Sequence, residues 1–495
     1  MDLKQAAQPG AQLGHGSNDL QRSGDGTQRI VVAGETDGEM DVLSWAEWLA
    51  SGHAALASLP EIGHELAERT NAATADDTAI LIYTSGSTGE PKGAEISHRC
   101  LLASAASIRD TLGLRHGDTA LSFLPFCHAA ERIFGLHTRI LVGMRAGLVA
   151  DHDRVWQAAR AFRPTVFGGL PRFYEKAAET LRREQAAAAG DERARWERTL
   201  VLGRERSRLR RAGMPVPAEL DAEWESAGAP VLERARALFG GCVRLATSGG
   251  ATLPLEAAEF LDALGIGVLG GYGLTEHLCA AFHRPGRLAF DSAGPPMVGT
   301  EMRIAEDGEI LVRRGALTFS GYHGRPDATR DAFTPDGRWL RTGDLGRIGE
   351  DGALRVMGRK KELIALSSGK KVAPLPIEAA LTGDPWIHQA MLYGEGRHFV
   401  SALIVPSRTA LEAWADEHSA DPDDPSVVHD PRLRATVQAA VDRVNAALSN
   451  PERVRRFAIL PLPFDGDDLT PTLKLRRTAI AERHRDRLEA LYQEA

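Results

Sequence analysis

The sequence predicts an α/β protein of layered sheets, with a stretch of β-hairpins and a smaller second unit toward the C-terminus. Three observations carry this reading. Short apolar runs bounded by Gly, Pro and Asp recur at residues 30–33, 79–83, 120–124, 166–168, 243–246 and 268–269 and alternate with helical patterns, as buried strands and their covering helices do. From about Met302 the texture changes to alternating segments separated by Asp-Gly pairs, which predict β-hairpins closing a domain. After Arg359 a region opens with lysines, continues through strand candidates at 389–393 and 400–405, and ends in charged helical patterns; this places a boundary near Gly358 to Lys361.

A length of 495 residues allows roughly three structural units. Residues 1–28 are polar and aperiodic and predict a flexible tail, so the fold is expected to begin at residue 29. Hydrophobic residues make up 43% and charged residues 25%, enough apolar material for a large core. Lys plus Arg number 59 against 67 Asp plus Glu, and a net charge of −8 disfavours nucleic acid as the main partner. The four cysteines lie far apart with no CxxC pair, which signals neither a disulfide framework nor a zinc site and fits a reducing, cytoplasmic setting. No apolar run approaches the roughly 18 residues of a membrane span, and the N-terminal stretch lacks signal-peptide character, so neither secretion nor membrane insertion is expected. The Arg- and Glu-crowded stretch 172–211 reads as a projecting, solvated helical hairpin.

The most specific stretch runs Ile82-Tyr83-Thr84-Ser85-Gly86-Ser87-Thr88-Gly89-Glu90-Pro91-Lys92-Gly93, directly after an apolar strand candidate. Its glycines let a ligand approach the backbone, its hydroxyls and N–H groups make an anion cradle, and Lys92 adds positive charge. The G-x-x-x-x-G-K-[ST] spacing is absent, so this phosphate loop is not a Walker A. A flexible Gly/Ser linker is the plain alternative, and the preceding strand and the closing Pro-Lys-Gly argue against it.

That loop resembles the signature of the adenylate-forming superfamily of acyl-CoA synthetases, peptide-synthetase adenylation domains and luciferases. Six further segments follow in the family's order: Leu124-Pro125-Phe126-Cys127-His128-Ala129-Ala130-Glu131-Arg132, Gly169-Leu170-Pro171-Arg172-Phe173-Tyr174, Ser248-Gly249-Gly250-Ala251, Gly271-Tyr272-Gly273-Leu274-Thr275-Glu276, Arg341-Thr342-Gly343-Asp344 with Gly358-Arg359-Lys360-Lys361, and Leu469-Thr470-Pro471-Thr472-Leu473-Lys474. The wording of the Leu124–Arg132 and Gly169–Tyr174 segments is similar to that of long-chain fatty acyl-CoA synthetases. The resemblance implies a large multi-subdomain adenylation core over 29–358, with layered sheets and a small β-barrel-like part. A small, mobile α+β lid domain over 359–495 would follow, hinged near Lys361.

It also implies roles. Thr84, Ser85, Gly86, Ser87, Thr88 and Gly89 would hold the β- and γ-phosphates of ATP, and Glu276 with the Thr84 hydroxyl would help place Mg²⁺, a hard ion suited to oxygen ligands. Thr275 would contact the α-phosphate, while Gly249, Gly250, Ala251, Gly271, Tyr272 and Gly273 would form the adenine slot. Asp344 would accept from the ribose hydroxyls, and Arg359 would pair with ribose or phosphate oxygens. Lys474 would bring its point charge to the α-phosphate on a mobile lid. Ser368 and Gly369 would lie along the CoA tunnel. His128 and His277 would trim the acyl pocket, with a packed, hydrogen-bonded histidine as the alternative for His277.

Two departures from the family pattern matter. Only 82 residues precede Tyr83, so an upstream part of one α/β layer is expected to be missing, which would expose strand edges unless a second copy or a partner protein covers them. Ser368 also stands where the family generally has glycine. The expected function is ATP- and Mg²⁺-dependent activation of a long or bulky apolar carboxylic acid to an acyl-adenylate, then thioester formation with CoA. Ser368 keeps open an adenylation-only enzyme that passes acyl-AMP to a carrier protein or a separate thioester-forming enzyme. A non-catalytic nucleotide-binding subunit is the third reading, against which Lys474, Glu276 and the complete loop argue.

Overall fold

The computed structural model describes residues 30–32, 42–58, 61–84, 91–469 and 475–493. The tail expected over 1–28 lies outside these, as do Ser85, Gly86, Ser87, Thr88 and Gly89 of the phosphate loop and Lys474. Strand β1 (Ile30–Val32) pairs in parallel with β2 (Val42–Ser44), and helices α1 (Trp45–Ser58) and α2 (Ile62–Ala72) follow. Strands β3 (Thr78–Thr84) and β4 (Lys92–Ser97) form an antiparallel pair in which Thr84 faces Lys92, so the phosphate-loop sequence is the connection of a hairpin. Helix α3 (His98–Leu112) starts on Ser97, whose hydroxyl accepts from the Cys100 N–H, and stops at Gly113 in the left-handed region at φ 60°.

The central sheet is then laid down by alternation, as the apolar runs predict. Strand β5 (Thr119–Ser122) leads into a π-helix (Ala130–His137) continued by α4 (Thr138–Val142) and β6 (Arg145–Leu148). Helix α5 (Val155–Phe162) leads to β7 (Val166–Gly169). Three long helices come next, α6 (Pro171–Ala187), α7 (Gly190–Arg211) and α8 (Ala218–Leu238). Strand β8 (Leu245–Ser248), helix α9 (Leu255–Ala263), and strands β9 (Val268–Leu274) and β10 (His277–Phe282) complete the layer. The strand order is β10-β9-β8-β7-β5-β6, parallel throughout except for β10.

The stretch 172–211 does not project as expected. Tyr174, Leu181, Trp196 and Leu200 are fully or almost fully buried in the same core as Phe167 and Phe239, so α6 and α7 pack onto the sheet and show their charges only on the outer face. The charges mask a stripe of large apolar residues spread over two helices, too sparse to read from either alone.

Strands β11 (Met302–Ile304), β12 (Glu309–Arg313), β14 (Trp339–Ile348) and β15 (Leu354–Arg359) form the predicted antiparallel sheet. Between them, β13 (Gly321–Tyr322) leaves to pair with β4, followed by the short helix α10 (Pro326–Asp331). A second core lies beyond. Strands β16 (Ile364–Ala365) and β17 (Lys371–Val372) pair, and α11 (Pro374–Thr382) leads to β18 (Ile387–Tyr393) and β19 (Val400–Pro406). Helices α12 (Arg408–His418) and α13 (Pro431–Asn445) and the parallel strand β20 (Val454–Ile459) bury its apolar face, and α14 (Arg477–Arg483) and α15 (Arg485–Gln493) end the described chain. Arg477 holds α14 to α11 through two bonds of 2.6 Å to the Glu378 carboxylate. No helix among the described residues is long and apolar enough to cross a membrane.

A buried carboxylate locks the N-terminal end of the parallel strands. Asp118 accepts from Arg244 Nε at 2.8 Å, Thr165 Oγ1 at 2.9 Å and the Arg115 N–H at 2.9 Å. Burial alone would raise its pKa, but Arg244 and the other donors outweigh this and hold it below the ordinary carboxylate value. A depressed folded-state pKa contributes stability above the unfolded value, which is lost as pH falls through the folded one. Asp118→Asn is therefore expected to cost about 2–3 kcal/mol at neutral pH, a gap from wild type that narrows below about pH 4, as denaturant melts across a pH series would show.

Candidate active site

In a parallel sheet, ligands bind beyond the C-terminal ends of the strands. Here that edge is bordered by small residues. Gly169 at the end of β7 pairs with Ser248 at the end of β8, and Ser248 pairs with Gly270 on β9. Gly249, Gly250 and Ala251 follow β8, and Gly250 takes φ +83°, which a side chain would strain. A Cβ at Gly271 would fall 2.3 Å from the Phe282 ring, so the protein itself requires glycine there. Gly249 differs: a Cβ would meet only Gly271 O, at an ordinary 3.8 Å. The bareness of Gly249 thus leaves room at the strand ends that no neighbouring side chain claims.

Strands β9 and β10 are joined by a two-residue turn in which Leu274 faces His277, putting Thr275 and Glu276 at the tip of a tight hairpin. The tip is tied to the phosphate-loop hairpin by the segment around β13. The Phe319 N–H donates to Glu276 O at 2.9 Å, and Tyr322 pairs with Ala94 on β4. The Tyr322 hydroxyl donates to Glu276 Oε1 at 2.5 Å, and Lys92 Nζ stands 5.3 Å from the centre of the Tyr322 ring. Burial, then the Glu276 carboxylate, push the Tyr322 phenol far above its ordinary pKa, so it remains a donor. Thr84 and Lys92, the residues flanking the loop, are thereby brought to the side of Glu276. Sequence reasoning singles out Lys92 and Glu276 but not Tyr322, because a lone tyrosine in Gly321-Tyr322 carries no motif.

A second constellation surrounds Asp344, which is almost fully buried on β14. Its Oδ2 accepts from the Tyr272 hydroxyl at 2.6 Å and its Oδ1 from Arg359 Nε at 2.9 Å. Tyr272 is also held protonated, by burial first and by Asp344 second. Arg359, expected to meet ribose or phosphate oxygens, donates to this carboxylate. The buried Glu309 supports the group from behind, accepting from the Gly343 N–H at 3.0 Å, Arg341 at 3.1 Å and Lys360 at 3.1 Å. Glu309 was also missed; in the sequence it is one acid of an Asp-Gly-Glu turn.

The remaining expected site residues are distributed as follows. His277 is enclosed, with 1% of its surface exposed, and its two ring nitrogens lie 3.3 Å from Thr318 Oγ1 and 3.1 Å from Thr300 Oγ1. Burial lowers its pKa to about 4. This corrects the expectation of a pocket-lining residue: both polar atoms are already used and no face remains open. His128 lies in the turn before the π-helix, where its Nδ1 accepts from the Ala130 N–H at 3.3 Å. Ser368 and Gly369 form the exposed turn between β16 and β17, with Gly369 at φ +77°. Lys361 is exposed in the single turn that follows β15. Among the described residues no cluster of three or more His, Cys, Asp or Glu could hold a metal by itself.

The family model described as AMP-binding enzyme matches residues 15–323, and that described as AMP-binding enzyme C-terminal domain matches 361–495. The chain is 38% identical over 433 residues to the putative fatty-acid–CoA ligase fadD11 of Mycobacterium tuberculosis, covering 84% of this chain and 74% of that relative. It is 37% identical over 475 residues to the long-chain-fatty-acid–CoA ligase FadD15 of Mycobacterium bovis, covering 89% and 74%. Among solved structures, the adenylation domain of a carboxylate reductase from Mycobacterium chelonae superposes with a TM-score of 0.63 at 27% identity, over 85% of this chain and 61% of that one. The corresponding domain from Segniliparus rugosus, in complex with AMP and a co-purified carboxylic acid, gives 0.60 at 23% identity over 94% and 71%, a likeness of fold. Two family models fitting the chain in order, and relatives this similar along most of its length, lead to one assignment: the chain belongs to the AMP-binding enzyme family.

Proposed function

We propose that this chain is an AMP-forming acid–CoA ligase that activates a long or bulky apolar carboxylic acid with ATP and transfers the acyl group to CoA. The observation that carries the reading is Asp344, a buried carboxylate aligned by Tyr272 and Arg359 beside the bare strand ends, as a ribose diol next to a flat base requires. The names of the relatives favour the complete ligase over an adenylation-only enzyme or a non-catalytic subunit.

In the first step an oxygen of the acid's carboxylate attacks the α-phosphorus of ATP, the bond to the β-phosphate bridge breaks, and pyrophosphate leaves. Two anions must meet, so the protein's contribution is positioning and neutralisation. In this reading Gly249, Gly250, Ala251 and Gly271 to Gly273 receive the adenine, Thr275 orients the α-phosphate, and Lys92 offsets charge near the loop Thr84 to Gly89. Glu276 and the Thr84 hydroxyl are oxygen donors that fit Mg²⁺, and so few protein ligands suit an ion that also takes phosphate oxygens. That ion would supply charge neutralisation of the phosphates. Lys474, with Lys361 as the hinge of a domain over 359–495, would reach the α-phosphate in this step. In the second step the CoA thiolate attacks the acyl carbonyl past Ser368 and Gly369, and AMP leaves. Cys100, Cys127, Cys242 and Cys279 are all free thiols, which supports a reducing, cytoplasmic setting.

The test is mass spectrometry of products from a panel of fatty, aryl and terpenoid acids with ATP and Mg²⁺, with and without CoA. Acyl-CoA from a long-chain or polycyclic acid is expected; acyl-AMP that persists when CoA is present would overturn the second step. Lys474→Ala is expected to abolish adenylation while sparing the reaction of a supplied acyl-adenylate with CoA, measured as two separate half-reactions. Tyr322→Phe removes the donor that holds Glu276 and should lower kcat/KM about five- to thirtyfold. Asp344→Asn should raise the KM for ATP about tenfold or more while the KM for the acid stays near wild type, read from initial rates with each substrate varied in turn.

A further inference from the structure

The segment after β5 is a π-helix of eight residues, Ala130–His137, an arrangement rare in proteins and frequent beside functional sites. Its widened turn is real in the backbone: the Thr138 N–H donates to Ile133 O, five residues back. One face looks toward the strand ends. Phe134 stacks on Phe282 with ring centres 5.9 Å apart, and Phe282 is the ring that Gly271 accommodates. Phe134 is also the side chain, with Thr247, that a Cβ at Gly168 on β7 would meet. His128 precedes the same turn, with its carbonyl accepting from the Arg132 N–H at 3.1 Å.

Besides the apolar packing of Ile133 and Phe134, a polar clamp fixes this segment. Glu131, 4% exposed, accepts from Ser122 Oγ at the end of β5 and from Arg139 Nη1 at 3.0 Å. Arg139 Nη2 donates to Leu121 O at 2.8 Å, so the ion pair is anchored to the strand itself. On this side Ser122, Arg139, Leu136, Ile140 and Met144 border an open groove of about 200 Å³ rather than packed side chains. A Cβ at Gly135 would stand 2.6 Å from the Glu131 carboxyl carbon, so the glycine makes room for the acid. Burial raises the pKa of Glu131, opposed by Arg139 and Ser122, so its place in the interior carries a desolvation cost.

We propose that Glu131, clamped between Ser122 and Arg139, is a positioning residue that sets the register of the π-helix and with it the Phe134 and His128 wall of the acid site. The inference rests on the ligase reading above. A wall that loses this buried ion pair on its groove side shifts, and this alters where the acid's apolar part rests while Asp344 keeps its bonds to Tyr272 and Arg359. Loss of Glu131 therefore acts on acid recognition far more than on ATP.

The experiment compares wild type, Glu131→Gln and Gly135→Ala, with Ser122→Ala as the milder variant should either of these fail to fold. For each, the KM for a series of acids of rising chain length, the KM for ATP and the thermal midpoint are measured. The expected result is a rise of about tenfold in acid KM, with a changed chain-length preference and an ATP KM within about twofold of wild type. A variant whose acid KM and preference match wild type, or in which both KM values rise together with a lowered midpoint, would overturn the positioning role. A wild-type chain that adenylates none of the acids would instead overturn the ligase reading and this inference with it.

Discussion

The structure depends on buried carboxylates that are paired rather than left alone. Asp344 is the central case: its two oxygens join β9 through Tyr272 and the end of β15 through Arg359, so one side chain couples the parallel sheet to the antiparallel sheet at their common edge. A buried carboxylate needs such donors, and removing Arg359 would take away its opposite charge. The same logic recurs in Glu309 behind it, in Asp118 at the opposite end of the strands, and in Glu131 at the π-helix. These acids place the irregular turns that hold the residues proposed to act on the substrates.

This division of labour has a chemical consequence. Many of the residues proposed to meet the nucleotide are short or bare: glycines at the strand ends, a threonine and a glutamate at a hairpin tip, hydroxyls in a loop. None can hold its own position by packing. Rigidity comes from the sheet beneath and from Tyr322, which spans the gap between Lys92 and Glu276 and stays a donor because burial and its acidic neighbour keep it protonated. Preorganisation of this kind costs stability in the empty protein and is recovered when charge develops on the phosphates.

Much of this was legible in the sequence. Strand alternation points to the central layer because buried parallel strands are short apolar runs, and the ordered motifs contain Tyr272, Asp344 and Arg359, which hydrogen bonds join, and Thr275 and Glu276, which share one hairpin tip. What the sequence did not disclose shares a physical cause: it lies in pairings between distant residues. Tyr322 meets Glu276 from 46 positions away and Glu309 meets Gly343 from 34, and neither partner has a local pattern that announces the other. Trp196 and Leu200 were hidden among charges because only one narrow stripe of α7 turns inward. For His277, the pocket and packed readings could be separated only by seeing Thr300 and Thr318 close on its two nitrogens.

The central claim is that the edge organised by Asp344 brings an acid and the α-phosphate of ATP together. Exchange of labelled pyrophosphate into ATP, with CoA left out, tests it most directly because it reports the reversal of that one step. Exchange is expected only when a long apolar acid and Mg²⁺ are both present. Exchange that proceeds without acid, or none with any acid while the chain remains folded, would contradict it.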